Sequence, residues 1–256
     1  MKIVRNSKLQ KFVEAGLYDD QSPVNIAGRI KKHEKCLPST SKDSIYRYIK
    51  SVYGRRIEAY RNKRKTRRWR RRAKGKKLED RIFIDKRPLF INKRERIGDA
   101  EADFLVSGKS GKGVILNVTD RKSRGPFLEQ IVQTTTDNVE LAFKKIKKRF
   151  PELKTITTDN DLLLQFHKKL GKALKVKIYF CHPYSSWEKG TVENTNGCIR
   201  KDMPKGSDIS KYSKKFIRSI EKKLQRRYMD CLNHLTPYEV IKRYREQKKR
   251  RGARKN

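Results

Sequence analysis

The chain has 256 residues, 35% hydrophobic and 38% charged, enough for one sizeable core and a small second domain. Its 68 Lys and Arg against 28 Asp and Glu give a formal charge of +40, a self-repulsion that a polyanion such as nucleic acid relieves in a salt-dependent way. A spanning helix is excluded, since no run of ~20 apolar residues exists, and MKIVRNSKLQ lacks the apolar stretch of a signal peptide. The cysteines, Cys36, Cys181, Cys198 and Cys231, form no CxxC pair. That argues against a zinc ribbon and suits a reducing cytosol, with disulfide pairing the less favoured alternative.

Residues 8–54 read as a small helical unit. Leu9, Phe12 and Val13 make a short helical stripe ending at Gly16. Ser22 followed by Pro23 is an N-cap with proline at the first helical position. Ile26, Ala27 and Ile30 form the next apolar face. Past Pro38, Ser41 caps a third helix in which Ile45, Tyr48, Ile49 and Val52 fall at i, i+3, i+4 and i+7, with Gly54 as its stop. The opposite face carries Lys42, Asp43, Tyr46, Arg47 and Lys50. Two readings fit this pattern equally: a helix-turn-helix whose second helix enters the major groove, or a three-helix bundle with a solvated basic face.

Residues 61–77 hold 12 Lys or Arg in 17, which no core absorbs. They read as an arm that orders on phosphates, Arg67, Arg68 and Arg70 supplying charge and Trp69 stacking on a base or sugar. The alternative is a solvated charge run or a localisation signal. Residues 242–256 form a second basic run without apolar periodicity.

Between these runs the composition changes. In residues 101–107, Ala102, Phe104 and Val106 alternate with Glu101, Asp103 and Leu105, which predicts a strand. Gly108, Gly111 and Gly113 mark a turn, and 114–119 and 127–132 are predicted strands. Residues 136–150 follow the helical period. Thr155–Thr158 is a short strand leading into Asp159. Leu162, Leu163, Phe166 and Leu170 predict a helix, and Val176–Phe180 a fifth strand. A helix over about 187–202 turns Val192 and Ile199 inward, and a last helix carries Phe216, Ile220 and Leu224 toward Tyr228. This order, β-β-β-α-β-α-β-α, specifies an α/β mixed sheet with helices on both faces.

Asp103 lies within the first strand, Asp159 ends the fourth, and Glu193 follows after 33 intervening residues in a helix. If strands one and four are neighbours, the aspartates meet on one surface and the helix brings Glu193 to them. Converging carboxylates in so basic a chain suit Mg²⁺, which takes oxygen ligands and phosphate oxygens. Two such ions activate the attacking oxygen and stabilise the leaving one in phosphoryl transfer. On spacing alone, solvated or capping carboxylates remain the commoner alternative.

The words IGDAEADFLVSGKSGKGVILNVTDRKSR, TITTDN, YFCHPYSSWEKGTVENTNGCIRKDMPKGSDIS and LTPYEV resemble the insertion-sequence-thirty family of DDE transposases. IDKRP and SPVNIAGRI…SKDSIYRYI look like that family too, so the resemblance spans roughly residues 8–54 and 78–240. It implies a ribonuclease H-like five-stranded core shared with retroviral integrases, preceded by a helix-turn-helix. The implied division is 1–55 (helix-turn-helix), 56–95 (basic linker), 96–240 (catalytic core) and 241–256 (basic tail). The family's triad falls on Asp103, Asp159 and Glu193, holding two Mg²⁺ or Mn²⁺ ions. Lys189, Asn194 and Arg200 join Lys42, Arg47, Lys50 and the arm as implied DNA contacts. Tyr184, Trp187, Gly190 and Asn196 position the third-motif helix or touch DNA. Arg121 and Lys122 read as DNA contacts or as a solvated turn.

The sequence departs from the family at Asp99 and Ala100, where histidine and tryptophan are usual, and at Asp161, where glycine is usual. The implied function is a transposase that binds terminal inverted repeats, cleaves DNA and transfers the 3′-hydroxyl to target DNA. Double-stranded DNA and a homodimer or larger synaptic oligomer are the implied partners, in the cytoplasm at the nucleoid and with no membrane. Two alternatives are a catalytically decayed, DNA-binding repressor of the same element and a basic RNA-binding or ribosome-associated protein.

Overall fold

A computed structural model describes residues 1–63, 80–108, 111–183 and 185–253. The predicted DNA contacts Arg67, Arg68, Trp69 and Arg70, and Tyr184, lie outside the described residues. The chain divides into two compact units, Met1–Arg67 with Gln225–Asn256, and Arg68–Leu224.

The first unit opens with α1 (Lys2–Arg5), α2 (Ser7–Tyr18), α3 (Pro23–Lys32), α4 (Lys42–Lys50) and α5 (Arg55–Lys63). Short polar side chains set the starts. Asn6 accepts from the Leu9 amide at 2.9 Å, Ser22 from Asn25 at 3.2 Å and Ser41 from Ser44 at 3.1 Å. The core is almost wholly aliphatic, built from Ile3, Leu9, Val13, Leu17, Ile26, Ile30, Ile45, Ile49 and Ile57 around Tyr48. Two expectations fail here. Val52 lies past the end of α4 and is 66% exposed. Gly54 is not the helix stop. A Cβ there would come within 2.2 Å of the Tyr48 carbonyl oxygen, so glycine permits the close approach that lets α5 begin. The predicted linker at 56–95 is likewise structured at both ends. Ile57 of α5 is buried, and Phe83 bridges to Phe180 ahead of α6 (Leu89–Asn92).

The second unit is built on β1 (Asp99–Val106), β2 (Val114–Asp120), β3 (Pro126–Ile131), β4 (Thr155–Thr158) and β5 (Lys177–Phe180). Their order is β3-β2-β1-β4-β5, with β1–β3 antiparallel and β4 and β5 parallel to β1. This is the ribonuclease H-like arrangement the resemblance implied. Besides α6, the helices that go with it are α7 (Thr136–Arg149), α8 (His167–Leu174), α9 (Gly190–Asp202) and α10 (Lys214–Gln225). The period-2 alternation of β1 divides its duties. Phe104 meets Phe143 of α7 edge-on at 6.4 Å, whereas Glu101, Asp103 and Leu105 face α9. The helix expected over Leu162–Leu170 splits into a 3-10 turn at Leu162–Leu164 and then α8. Asp161 accepts from the amide two residues on, which favours a tight turn over a helix start. The helix expected from 187 begins at Gly190, after a 3-10 turn.

Residues 225–240, expected in the core, fall in the first unit, and the basic run up to residue 253 lies in a helix, α11 (Pro237–Ala253). Tyr228 is not on the last core helix; its ring stacks on Phe12 at 6.2 Å. All four cysteines are thiols. No helix among the described residues is long and apolar enough to cross a membrane.

Candidate active site

Asp103 sits in mid-β1 because the alternation that buries Ala102 and Phe104 turns it to the other face. Asp159 follows the last residue of β4. The parallel pairing of β1 with β4 brings both carboxylates to one end of the sheet. They meet on one cation: Lys189 Nζ lies 3.0 Å from Asp103 Oδ1 and 2.6 Å from Asp159 Oδ2. Burial acts to lower the pKa of Lys189, but the two aspartates outweigh it and hold the ammonium above its ordinary value. Asp103 is also pushed up, which for a carboxyl disfavours the charged form. Burial and the Asp159 charge raise it above the usual carboxylate range, against the pull of Lys189.

Glu193 is exposed one turn after Lys189 on α9, near enough for charge coupling to the pair. Partial burial and the charges of Asp103, Glu101 and Asp159 raise its pKa, with Lys189 opposing. The structure joins Asp103 and Asp159 directly through Lys189, whereas Glu193 is linked to them by charge alone; among the described residues no three such side chains lie close enough together to hold a metal ion.

Asp103 is held by a relay the sequence did not reveal. Its second oxygen accepts from Asn196 Nδ2 at 2.6 Å. Asn196 Oδ1 accepts from Asn117 Nδ2 at 2.7 Å, and Asn117 Oδ1 from the Thr119 hydroxyl at 2.9 Å. Asn117 stands directly across β2 from Asp103, so the cross-strand register sets the relay. Glu101, two residues before Asp103 on the same face, anchors the helix. One oxygen accepts from the Val192 amide at 2.9 Å in the first turn of α9, where a negative charge is stabilised. The other pairs with Arg121. Alternation had placed Glu101 on this face; nothing local identified its partners.

Several predicted DNA contacts are corrected. Lys189 is 6% exposed and engaged between carboxylates, so it is not a surface phosphate contact. Arg121 is 5% exposed and committed to Glu101 and to the Ile91 carbonyl. Arg200 is half-buried and donates to the Val106 carbonyl at 2.8 Å, and its Nη1 is buried without a hydrogen-bond partner among the described residues. Asn194 is exposed, as are Lys42, Arg47 and Lys50 of α4. Trp187, for which a core place was the simple alternative, is 75% exposed beside the cluster. Its loop is pinned by His182, whose ring contacts Glu188 at 2.9 Å and Asp85 at 2.8 Å.

The departures from the family pattern are accommodated without strain. Asp99 is buried but takes a two-pronged ion pair from Arg96 and the Thr155 hydroxyl at 2.7 Å. Ala100 is buried in β1. Asp161 has φ −70°, a conformation open to any residue, so glycine is not required there.

No family model matches the chain. It is 35% identical over 228 residues to the transposase for insertion sequence element IS4351 of Bacteroides fragilis, covering 86% of this chain and 69% of that protein. It is 31% identical over 253 residues to transposase InsI for insertion sequence element IS30A of Escherichia coli (strain K12), covering 93% of this chain and 66% of that one. The chain belongs to the IS30 family of transposases. By family it is a DDE-type enzyme of phosphoryl transfer on DNA, which displaces the RNA-binding alternative. The IS30-family chain spans about two thirds of the length of both relatives. Among solved structures, the catalytic core domain of BIV integrase is similar at a TM-score of 0.46 and 16% identity, over 59% of this chain and 97% of that one.

Proposed function

We propose that this protein cuts and rejoins DNA at the ends of a mobile element, with Asp103, Asp159 and Glu193 as the catalytic carboxylates. The observation that carries the reading is the meeting of Asp103 and Asp159 on a single buried cation, with Glu193 coupled to both. Two carboxylates so close repel unless a positive charge compensates them. Here Lys189 supplies it.

The residues present suit a divalent cation. All three donors are hard oxygens, the set that Mg²⁺ or Mn²⁺ prefers. Asp159 Oδ1 is buried with no hydrogen-bond partner among the described residues, an acceptor in need of a positive partner. Asp103, Asp159 and Glu193 would hold the metal, as two ions, and bound there it would polarise the phosphate and make the attacking water or hydroxyl acidic. The chain's own groups do the rest. The Thr119–Asn117–Asn196 relay fixes Asp103, and Glu101 fixes the start of α9 and with it Glu193. Lys189 holds Asp103 and Asp159 together as their counter-ion. Exposed Trp187, in the turn before α9, offers a stacking face to a base, and exposed Asn194 in the first turns of α9 offers a polar one.

In the first unit, Lys42, Arg47 and Lys50 line the exposed face of α4, the second helix of a helix-turn-helix, and read terminal inverted repeats in the major groove. Joining two ends calls for a homodimer or larger assembly on double-stranded DNA, at the nucleoid of the cytoplasm. The decayed-repressor alternative draws no support from Asp99, Ala100 or Asp161, each accommodated as described. A nicking assay on end-containing duplex with and without Mg²⁺ tests the reading. Metal-dependent nicking abolished in Asp159→Asn and Glu193→Gln supports it; variants that cut as well as the parent overturn the site assignment.

A further inference from the structure

The C-terminal segment is fastened to the helix-turn-helix by a dense polar network. Asn25 of α3 donates to the Tyr228 carbonyl at 2.8 Å, and Gln21 accepts from the Tyr228 amide at 3.2 Å. The Arg29 guanidinium lies 4.9 Å over the Tyr228 ring and forks onto both oxygens of Glu239 at 2.9 Å. His33 Nε2 lies 2.8 Å from the Asn233 carbonyl oxygen. The His234 ring packs so closely on Gly28 that a Cβ there would come within 2.1 Å of it.

Thr236 and Glu239 then form a capping box at the start of α11. The threonine hydroxyl accepts from the Glu239 amide at 3.1 Å, and the glutamate accepts from the Thr236 amide at 2.8 Å. The same glutamate thus caps α11 and ties it to α3.

Beyond that anchor α11 has no apolar face. Ile241 is buried, and Gln247 through Arg251 are all exposed. The helix carries seven Lys or Arg against two Glu, four of the cations consecutive at Lys248, Lys249, Arg250 and Arg251. A helix polar on every side lacks a packing partner, and like charges three and four apart weaken it further. Segment and recognition helix also border one surface. A notch between residues 230–234 and the turn before α4 is lined by Lys31, Ser41, Lys42 and His234, with Asp230 engaged on His234 Nε2 at 3.2 Å.

We infer that α11 is a second DNA-contacting element of the helix-turn-helix unit, gripping duplex phosphates while α4 reads bases. The DNA-reading unit is therefore discontinuous in sequence, formed by the first 63 residues and by 225–253. This rests on the proposal that α4 reads element ends. The exposed cations suit phosphate contacts, which position a protein and carry affinity without sequence information.

The full-length protein and a Lys248→Gln, Lys249→Gln, Arg250→Gln, Arg251→Gln variant are compared for binding to an element-end duplex and to a scrambled duplex across a salt series. Glutamine is a good helix former, so α11 persists, which circular dichroism checks. The variant is expected to bind both duplexes more weakly. Its slope of log affinity against log salt becomes shallower by about 0.9 for each phosphate that α11 no longer neutralises, and the end-to-scrambled ratio is unchanged. An unchanged slope overturns the inference. Arg47→Ala serves as the separate arm: it lowers the end-to-scrambled ratio if α4 reads sequence. A parent with no end preference defeats the α4 reading, while the salt slopes still decide whether α11 holds phosphates.

Discussion

The two units treat charge in opposite ways. The helical unit keeps an aliphatic core and leaves its cations on the surface, where α4 and α11 offer them to solvent. The sheet unit draws charge inward. Asp99, Glu101, Asp120, Arg87, Arg121 and Lys189 are all buried. Arg87 is pushed down to about 10, by burial first and then by the Arg121 charge. Asp120 is pushed up to about 6 by burial, although Ser123 and the Gly98 amide hydrogen-bond to it. Each isolated buried charge costs several kcal/mol, so a fold that carries so many must pair them, as with Glu101 and Arg121, or hydrogen-bond them, as with Asp120 and Arg87. The difference matches the work proposed for each unit. Recognition needs only a presented surface on a stable scaffold, whereas phosphoryl transfer needs carboxylates held close together against their own repulsion. The buried ion pairs around β1 and α9 supply that constraint.

The sharpest way to separate the units is to remove one carboxylate. Asp159→Asn is expected to lower metal-dependent strand cleavage by about 10²–10³-fold or more, with duplex binding through the helical unit unchanged in a gel-shift titration. Arg121→Met comes next. It leaves Glu101 buried without its cation, and the sheet unit should lose about 3–5 kcal/mol in urea while the helical unit's transition stays in place. Lys189→Met should cost the metal-free protein about 2 kcal/mol, less than a fully buried pair because Asp159 reaches solvent. Added Mn²⁺ should raise the melting temperature of that variant more than that of the parent. A parent and variant equally responsive to Mn²⁺ would break the view of Lys189 as the resident counter-ion.

In the helical unit, Ser41→Ala should remove about 1 kcal/mol by uncapping α4, with cleavage chemistry on a preformed nicked substrate untouched. The smallest effect concerns His182. Its bonds to Glu188 and Asp85 raise its folded pKa above the ordinary histidine value. The contribution is fully present below that ordinary value and fades as pH rises through the raised one. Amide exchange in the loop before α9 should therefore quicken, beyond its intrinsic pH dependence, on the alkaline side of the histidine range, and His182→Gln should show no such change.

Much of this was legible because it is local. Caps act over three residues, so Ser22 and Ser41 could be read directly. Period-2 alternation put Glu101, Asp103 and Leu105 on one face of a strand before any partner was known. Lys189 was misread as a DNA contact because a basic residue in a basic chain looks the same whether it meets phosphate or a buried aspartate. Its burial depends on α9 packing across β1, a contact 86 residues away in sequence. For Arg121 neither reading, DNA contact or solvated turn, anticipated its burial against Glu101, for the same reason. The basic tail gave no helical signal because α11 lacks an apolar stripe; its start is held instead by Arg29, from 210 residues earlier.

By itself, then, the sequence determined the order of the strands along the chain, the helix starts at Ser22 and Ser41, and the placing of Asp103 within one apolar strand pattern and Asp159 at the end of another. These follow from backbone hydrogen bonds and side-chain periodicities that span a few residues. Only the tertiary structure decided which charges are buried, which cation faces which carboxylate, and that the two ends of the chain make one unit. Those outcomes depend on desolvation and on distances across the fold, which no short window of residues contains.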